Sequence, residues 1–262
     1  MKKQVRSSIL LLSRYWPILF VIGGWQLLAS AKLYNTTLLP APSEVIVAWC
    51  RLLLAGDLLK ATLGSLQRVL VGFGIAVVVA FLLALLVSRF KLIESNVKLI
   101  VEFLRPISPI AWIPLGILWF KTGDGPAYFI VFIASFFPIF LNLLLGIHSV
   151  SEKHLDVARS FRASRWLTIT DVLWPAAKPS IITGLRLGLG YAWMSLIAAE
   201  LIAVRLGLGY LIQINRVALN MENVVAVMGT IGLVGLLMNF VIQLYAKVTM
   251  PWWPASNSFT NG

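Results

Sequence analysis

Three ionisable residues lie inside or at the edges of long apolar runs, where a charge is expected to have an ion-pair partner or a functional role. Glu200 ends the uncharged run 187–199, and Arg68 and Arg186 border two other runs. A bare charge at the centre of a bilayer costs about 2.5–3.5 kcal/mol, so such groups are expected to face protein or water. Glu200 then has two interpretations: a pore-lining gate or interface residue, or a structural carboxylate paired with Arg68 or Arg205. Arg68 and Arg186 are interpreted as side chains that snorkel to the interface, although Arg68 at an outer entrance would also attract an anion.

No set of side chains in the sequence has the spacing of a catalytic or metal site. His148 and His154 are the only histidines and Cys50 is the only cysteine, which excludes an internal disulfide and the usual zinc patterns. There is no Gly-rich GxxxxGKS phosphate loop and no paired carboxylates. The sequence therefore predicts a chain that is not an enzyme and binds no cofactor or metal. A membrane-embedded enzyme is disfavoured for the same reason.

The composition predicts a membrane protein. Hydrophobic residues make up 59% of the 262 residues and charged residues 12%, whereas about a quarter of a soluble domain is charged. A spanning helix needs about 20 apolar residues, and none of the runs alternates like a barrel strand. We predict an all-α, polytopic membrane protein with six transmembrane helices in a permease domain at 15–250, between a cytoplasmic segment at 1–14 and a cytoplasmic tail at 251–262. The charge-free runs are 15–31, 69–88, 106–120, 125–151, 187–199 and 223–246.

The net charge of +12 reflects topology. With a cytoplasmic N-terminus, most of the Lys and Arg residues fall in the internal loops, as the positive-inside rule requires. A multi-pass location in a bacterial inner membrane is predicted, with lipid and not nucleic acid as the surrounding partner. As an alternative, Ala29-Ser30-Ala31 resembles a signal-peptidase site, and cleavage there would leave five spans and an external N-terminus.

Small residues within the spans indicate close helix packing, and polar or aromatic residues there mark a candidate translocation path. Gly72, Ala76, Ala80, Ala84 and Ser88 form a small-residue stripe, which predicts close approach of another helix. Pro106, Pro109 and Pro114 indicate either a kinked structural helix or a break that lines a pathway. Asn239 and Gln243 are expected to bond neighbouring helices. The candidate translocation path comprises Trp112, Asn142, Trp193 and Glu200, although packing would also explain the first two.

The longest internal polar stretch is the loop at 152–180. Its first part reads as a short amphipathic helix, because Leu155, Ala158 and Phe161 share one side and charged residues favour the other. A charged cytoplasmic helix is often only a solvated face. Here it is the one sizeable internal surface that a soluble partner could hold.

The segment LDVARSFRASRWLTITDVLWPAAKPSIITGLRLGLGYAWMSLIAAE at 155–200 resembles the signature loop of binding-protein-dependent ABC transporter permeases. Asp156-Val157-Ala158 occupies the place of the family's EAA, Trp174-Pro175 occupies the terminal place, and Arg162 stands where the family usually has Gly. Gly permits a tight turn that Arg would resist. The resemblance implies a coupling helix that seats in a cleft of an ATPase subunit. The implied coupling residues are Glu152, Leu155, Asp156, Val157, Ala158, Phe161, Arg162 and Ala163.

Further segments resemble the nitrate, sulfonate, taurine and bicarbonate branch of that family. They are LPAPSEV at 39–45, SLQRVLVGF at 65–73, LRPISPIAWIPLGILWF at 104–120, FFPIFLNLLLGI at 136–147 and LGLGYLI at 206–212. The resemblance implies a permease that pairs with a second permease copy, two ATPase subunits that bind ATP and Mg, and an extracytoplasmic solute-binding protein. A small oxyanion or organosulfonate is the expected solute, with a heterocyclic vitamin precursor or a similar neutral or cationic solute as the alternative. The rival function is a channel or a secondary transporter driven by an ion gradient.

Overall fold

The computed structural model describes residues 16–17, 20–31, 39–149, 156 and 160–250. Within these ranges the chain is helical and contains no strand, which confirms the all-α prediction. The helices are α1 (Phe20–Ser30), α2 (Pro42–Leu54), α3 (Asp57–Ser88), α4 (Lys91–Leu104), α5 (Ile113–Phe120), α6 (Asp124–His148), α7 (Trp174–Ala203), α8 (Leu208–Val217) and α9 (Met221–Thr249). A 3₁₀ turn (Pro109–Trp112) precedes α5.

Four described helices are long and apolar enough to cross a membrane: Asp57–Ser88, Asp124–His148, Thr170–Ala203 and Met221–Thr249. A fifth span is present if the bent pair Leu92–Leu104 and Pro109–Phe120 counts as one. The chain is thus a polytopic membrane protein. The predicted first span is represented by α1, which is shorter than a crossing requires, and the segments predicted at 1–14 and 251–262 lie outside the described residues.

The three clustered prolines produce a break rather than a mild kink. The axes on its two sides differ by 90°. Pro109 and Pro114 each stand in the first turn of their own helical element, where a missing N–H removes no intrahelical hydrogen bond. Of the two interpretations of this region, the structure therefore favours a broken helix.

The chain divides into two compact units, residues 1–61 with 211–231 and residues 62–210 with 232–262. In the first unit, the Glu44 carboxylate accepts the Ala41 N–H at 2.8 Å and so caps the start of α2. The Trp49 indole donates to the Thr230 hydroxyl at 3.0 Å, and this bond joins α2 to the start of α9.

The second unit is built around α6, whose Ile139, Phe140 and Leu144 are fully buried. The small-residue stripe of α3 lies in this core, with Ala76, Ala80 and Ala84 buried, so the predicted close approach is confirmed. The reason is visible at Gly72, where an added Cβ would lie 2.7 Å from Val131 Cγ1 of α6.

Glycines also bring α7 against α6. A Cβ at Gly184 would lie 2.6 Å from the Asn142 Cβ, and one at Gly188 would lie 2.7 Å from Ile139 Cγ1. No larger residue fits at either position without moving α6, which is the packing expected of helices that associate in lipid through small residues.

Helix α7 begins earlier than the sequence predicts. The aromatic segment at 166–174 is expected to end at Pro175, with the fifth span starting after Pro179. Instead, a π-helical turn (Thr168–Leu173) runs directly into α7, and Pro179 lies inside the helix. Pro175 lacks an N–H and its ring crowds the carbonyl four residues before it, and a wider π turn relieves both problems.

Candidate functional site

The most completely buried charged group of the described chain is the carboxylate of Glu200, near the end of α7. It is 0% exposed. Arg68 Nη1 of α3 donates to its Oε1 at 2.9 Å, and the Ser65 hydroxyl donates to the same carboxylate from one turn earlier at 2.8 Å. Spacing of three residues on α3 places both donors on one face of that helix. Glu200 is therefore fully paired within this unit.

Arg68 connects this carboxylate to α6. Its Nε donates to Asp124 Oδ1 at 2.7 Å and its Nη1 also donates to the Leu206 carbonyl at 2.6 Å. The Arg68 residue is 4% exposed, whereas the Asp124 side chain is 49% exposed. A guanidinium buried among two carboxylates and a carbonyl is compensated in charge and in hydrogen bonding.

The segment 206–212 closes around Glu200 because of its glycines. Gly209 N–H, in the first turn of α8, donates to Glu200 Oε2 at 3.0 Å, and the Leu208 N–H donates to Ser65 Oγ at 2.9 Å. A carboxylate at a helix N-terminus accepts hydrogen bonds from otherwise unpaired N–H groups and interacts favourably with the positive end of the helix dipole. Gly207 has φ +137°, and a Cβ there would overlap the Glu200 carboxylate.

These contacts favour the second interpretation of Glu200. Among the described residues its carboxylate pairs with Arg68 and not with Arg205, and it lines neither of the two cavities described below. Arg68 is buried and forms ion pairs with Glu200 and Asp124, so it does not snorkel to the interface. The sequence does not predict Ser65 as a partner of Glu200 or Asp124 as a partner of Arg68. Nothing in a linear sequence shows which distant residues contact a buried charge.

Arg186 is the other arginine within a spanning helix, and its surroundings differ. Its Nε donates to Asn239 Oδ1 of α9 at 2.9 Å. The predicted helix-bonding role of Asn239 is confirmed. The snorkelling interpretation of Arg186 stays a prediction, because Arg186 is exposed and this bond holds only its Nε.

Predicted path residues line two cavities of the second unit. One of about 600 Å³ is lined by α4, the 3₁₀ turn, α6 and α7 and includes the predicted path residue Asn142. The amide of Asn142 also donates to the Pro138 carbonyl of its own helix at 2.8 Å. The other, of about 370 Å³, lies between α7 and α9 and includes the predicted path residue Trp193.

Trp112 lines neither cavity. Its ring packs edge-on against Phe129 with centroids 6.5 Å apart, and its indole N–H is buried with no acceptor among the described residues. The contact with Phe129 is consistent with the packing interpretation of Trp112, and its place on the path stays a prediction. The four predicted path residues are thus not brought together around one space.

The predicted coupling segment is described in part. Glu152, Leu155, Val157 and Ala158 lie outside the described residues. Asp156 is helical and exposed, and the Ser160 hydroxyl donates to its carbonyl at 2.9 Å, a bond that serine can form with the carbonyl one helical turn before it. Phe161 is 82% exposed and Trp166 is 75% exposed, so this segment presents large apolar side chains outward.

Arg162 ends this turn in a left-handed conformation, with φ +50°. Its neighbour Ala163 is half-buried and leads into the helical turn Arg165–Leu167. A left-handed residue other than glycine costs roughly 1–2 kcal/mol. The tight turn that the family pattern assigns to Gly is therefore present here with Arg in its place.

Comparisons with known proteins agree with these features. The family model described as "Binding-protein-dependent transport system inner membrane component" matches residues 72–252. A protein of Methanocaldococcus jannaschii described as an ABC transporter permease is 36% identical over 90% of each chain. The taurine transport system permease protein of Escherichia coli and the nitrate import permease protein of Synechocystis are each 30% identical over 87% of this chain and 85% of their own. This chain therefore belongs to the inner-membrane permease components of binding-protein-dependent ABC transport systems, in the branch of the nitrate, sulfonate and taurine permeases.

Proposed function

We propose that this chain is the permease of an ATP-driven importer that carries a small oxyanion or organosulfonate across the membrane. The family membership supports the permease role, and the relatives named for taurine and nitrate support the solute class. The observation that carries the driving mechanism is the exposed turn at 160–166. It follows the predicted coupling helix and presents Phe161 and Trp166 to whatever lies outside the chain.

The proposed assembly contains two permease copies, two ATPase subunits and an extracytoplasmic binding protein. ATP and Mg bind to the ATPase subunits, and this chain holds no cofactor. The permease has six spans with residues 1–14 and 251–262 in the cytoplasm. Closure of the ATPases on ATP moves the coupling residues, and the permease switches between two packings, one open inward and one open outward.

The Glu200–Arg68 network fits one part of this mechanism. It ties α3, α6, α7 and the start of α8 into one block through buried, charge-assisted hydrogen bonds. Such a block moves as a rigid body, so motion must occur elsewhere in the permease. The path is assigned to the cavities that contain Asn142 and Trp193, with Glu200 outside it.

The experiment is uptake by proteoliposomes that contain the whole complex and its binding protein. Labelled taurine, labelled nitrate and a labelled cationic heterocycle are compared with and without ATP. ATP-dependent uptake of taurine or nitrate supports the proposal, whereas uptake of only the cationic heterocycle assigns the importer to the alternative solute class.

A coupling variant makes the same experiment more specific. Asp156→Trp places a bulky side chain in the predicted docking helix, and it should reduce both ATP-dependent uptake and solute-stimulated ATP hydrolysis by tenfold or more, about 1.4 kcal/mol. Leu54→Trp, at the exposed end of α2, is the matched control and should leave both rates unchanged. Normal rates in Asp156→Trp would contradict the coupling role.

A further inference from the structure

Arg186 carries a charge that the described part of the chain does not neutralise. Its one hydrogen bond there goes to a neutral amide, that of Asn239, and none of the ion pairs among the described residues includes it. Arg68, by contrast, contacts two carboxylates. Arg186 is also exposed while Arg68 is buried. An exposed, uncompensated guanidinium on a spanning helix is expected to face water or an anion, not hydrocarbon.

The contacts between α7 and α9 fix the depth of Arg186. Lys178 Nζ donates to the Thr249 carbonyl at 2.9 Å, Arg186 contacts Asn239, and a Cβ at Gly235 would lie 3.1 Å from Trp193 Nε1. These three contacts follow one antiparallel register. At 1.5 Å per residue, Arg186 lies about 12 Å along α7 from Lys178. Arg186 therefore lies between the ends of the two helices and not at either end.

The cavity of about 370 Å³ adjoins this guanidinium. Its wall is mainly apolar and aromatic, and among the described residues Arg186 is its one charged member. The remaining lining includes Leu187, Tyr191, Met194, Met238 and Ile242. Such a space suits a ligand with one anionic group and a small organic body.

The bond to Asn239 occupies Nε of Arg186 and leaves the two Nη groups of the guanidinium for a ligand. Because Asn239 holds Nε, the plane of the group is oriented while the two Nη groups remain for an acceptor. Parallel N–H donors match two oxygens of a sulfonate or another oxyanion, and such charge-assisted pairs are roughly twice as strong as neutral ones.

We propose that Arg186, oriented by Asn239, is an anion-binding residue that receives the sulfonate or oxyanion group of the transported solute in the cavity between α7 and α9. This inference rests on the proposed function, since it assigns part of the solute path to this chain. A lipid phosphate has the same chemistry, and the test must separate the two sources.

The test measures the local potential with charged thiol reagents in the whole complex in proteoliposomes. Cys50→Ser removes the chain's one cysteine, and Met194→Cys places a thiol in the exposed cavity wall. A sulfonate-bearing thiosulfonate reagent and a trimethylammonium-bearing one are then compared. With Arg186 present the anionic reagent should react faster, and Arg186→Gln should lower the ratio of anionic to cationic rates by about tenfold, as one nearby charge predicts.

A matched control lies on the same helix. Ile202 is exposed and stands sixteen residues from Arg186, about 24 Å along the axis. In Ile202→Cys the rate ratio should not respond to Arg186→Gln. If the ratio at position 194 is also unchanged, or if neither reagent reaches that position, the proposed anion site is wrong.

Protection identifies the source of the anion. Taurine or nitrate, whichever the complex transports, should slow modification at position 194 when Arg186 is present. In Arg186→Lys the preference for the anionic reagent should persist while this protection weakens, because ammonium lacks the paired donors. Slowing by phosphatidylglycerol alone would overturn the assignment in favour of a lipid. The reagents need no ATP, so failure of ATP-driven uptake would refute the proposed function and leave the rate ratio readable.

Discussion

Arg68 Nη1 and Glu200 Oε1 lie 2.9 Å apart, although 132 positions separate the two residues in the chain. The pair joins the middle of α3 to the end of α7, and the same carboxylate receives the Gly209 N–H at the start of α8. One buried carboxylate thereby links three helices through hydrogen bonds.

Loss of the Glu200 carboxylate should lower the stability of the folded permease. Glu200→Gln removes the negative charge that faces Arg68 and replaces one of the two acceptor oxygens by an NH2 group, so the buried donors from Ser65, Arg68 and Gly209 are left with a single oxygen. Breaking a buried pair on one side costs about 3–5 kcal/mol. Since Asp124 still neutralises Arg68, we expect the lower end of that range. The measurement is the unfolding midpoint of the purified permease in detergent.

Asp124→Asn is the matched control, because it removes the other carboxylate of the same arginine. Asp124 is half-exposed, and water screens such a pair to about 1 kcal/mol or less. A larger loss of stability in Asp124→Asn than in Glu200→Gln would contradict the conclusion that Glu200 is the more stabilising partner of Arg68.

Gly209→Ala should also destabilise the permease. Its Cβ would lie 2.5 Å from the Ile197 carbonyl and 2.7 Å from the Glu200 Cβ, and overpacking of this kind costs about 1–3 kcal/mol. Gly229→Ala is the comparison, because a Cβ there meets nothing within 4 Å and alanine is the better helix former by up to about 1 kcal/mol. Opposite shifts of the two unfolding midpoints are expected, and equal shifts would exclude close packing at Gly209.

Arg162→Gly should stabilise the turn of the coupling segment. Glycine adopts φ +50° without the side-chain clash that costs other residues roughly 1–2 kcal/mol. Hydrogen exchange over residues 160–167 should slow in Arg162→Gly and accelerate in Arg162→Val, whose branched Cβ worsens the clash. Faster exchange in the glycine variant would show that the left-handed turn is not maintained in solution.

Cysteines on α3 should report the buried small-residue stripe. In a Cys50→Ser background, thiols at Ala76 and Ala80 should resist a lipid-phase maleimide, because both positions are fully buried. A thiol at Leu82 is the control, since this side chain is 61% exposed on the same helix. Equal labelling of position 80 and position 82 would refute the packing of α3 against α6.

The sequence predicts well what depends on local pattern. Small residues at every fourth position indicate a buried helix face at Ala76 and Ala80, and apolar length indicates the long spans. Charge partners depend on tertiary contacts instead, so Ser65 and Asp124 could not be assigned to the Arg68–Glu200 pair in advance. Helix limits fail where proline suggests an end, because the π-helical turn before Pro175 lets α7 continue. The Arg186–Asn239 bond could not be assigned in advance for a similar reason, since only the fold places the two residues side by side.

The central claim is that a separate ATPase drives this permease, and the most direct test compares two sets of vesicles. One set contains this chain alone, and the other contains the chain with its ATPase subunits and binding protein. The transported solute should accumulate only in the complete set and only with ATP. Uptake by the chain alone, at the rate of the complete set and driven by an ion gradient, would contradict the claim.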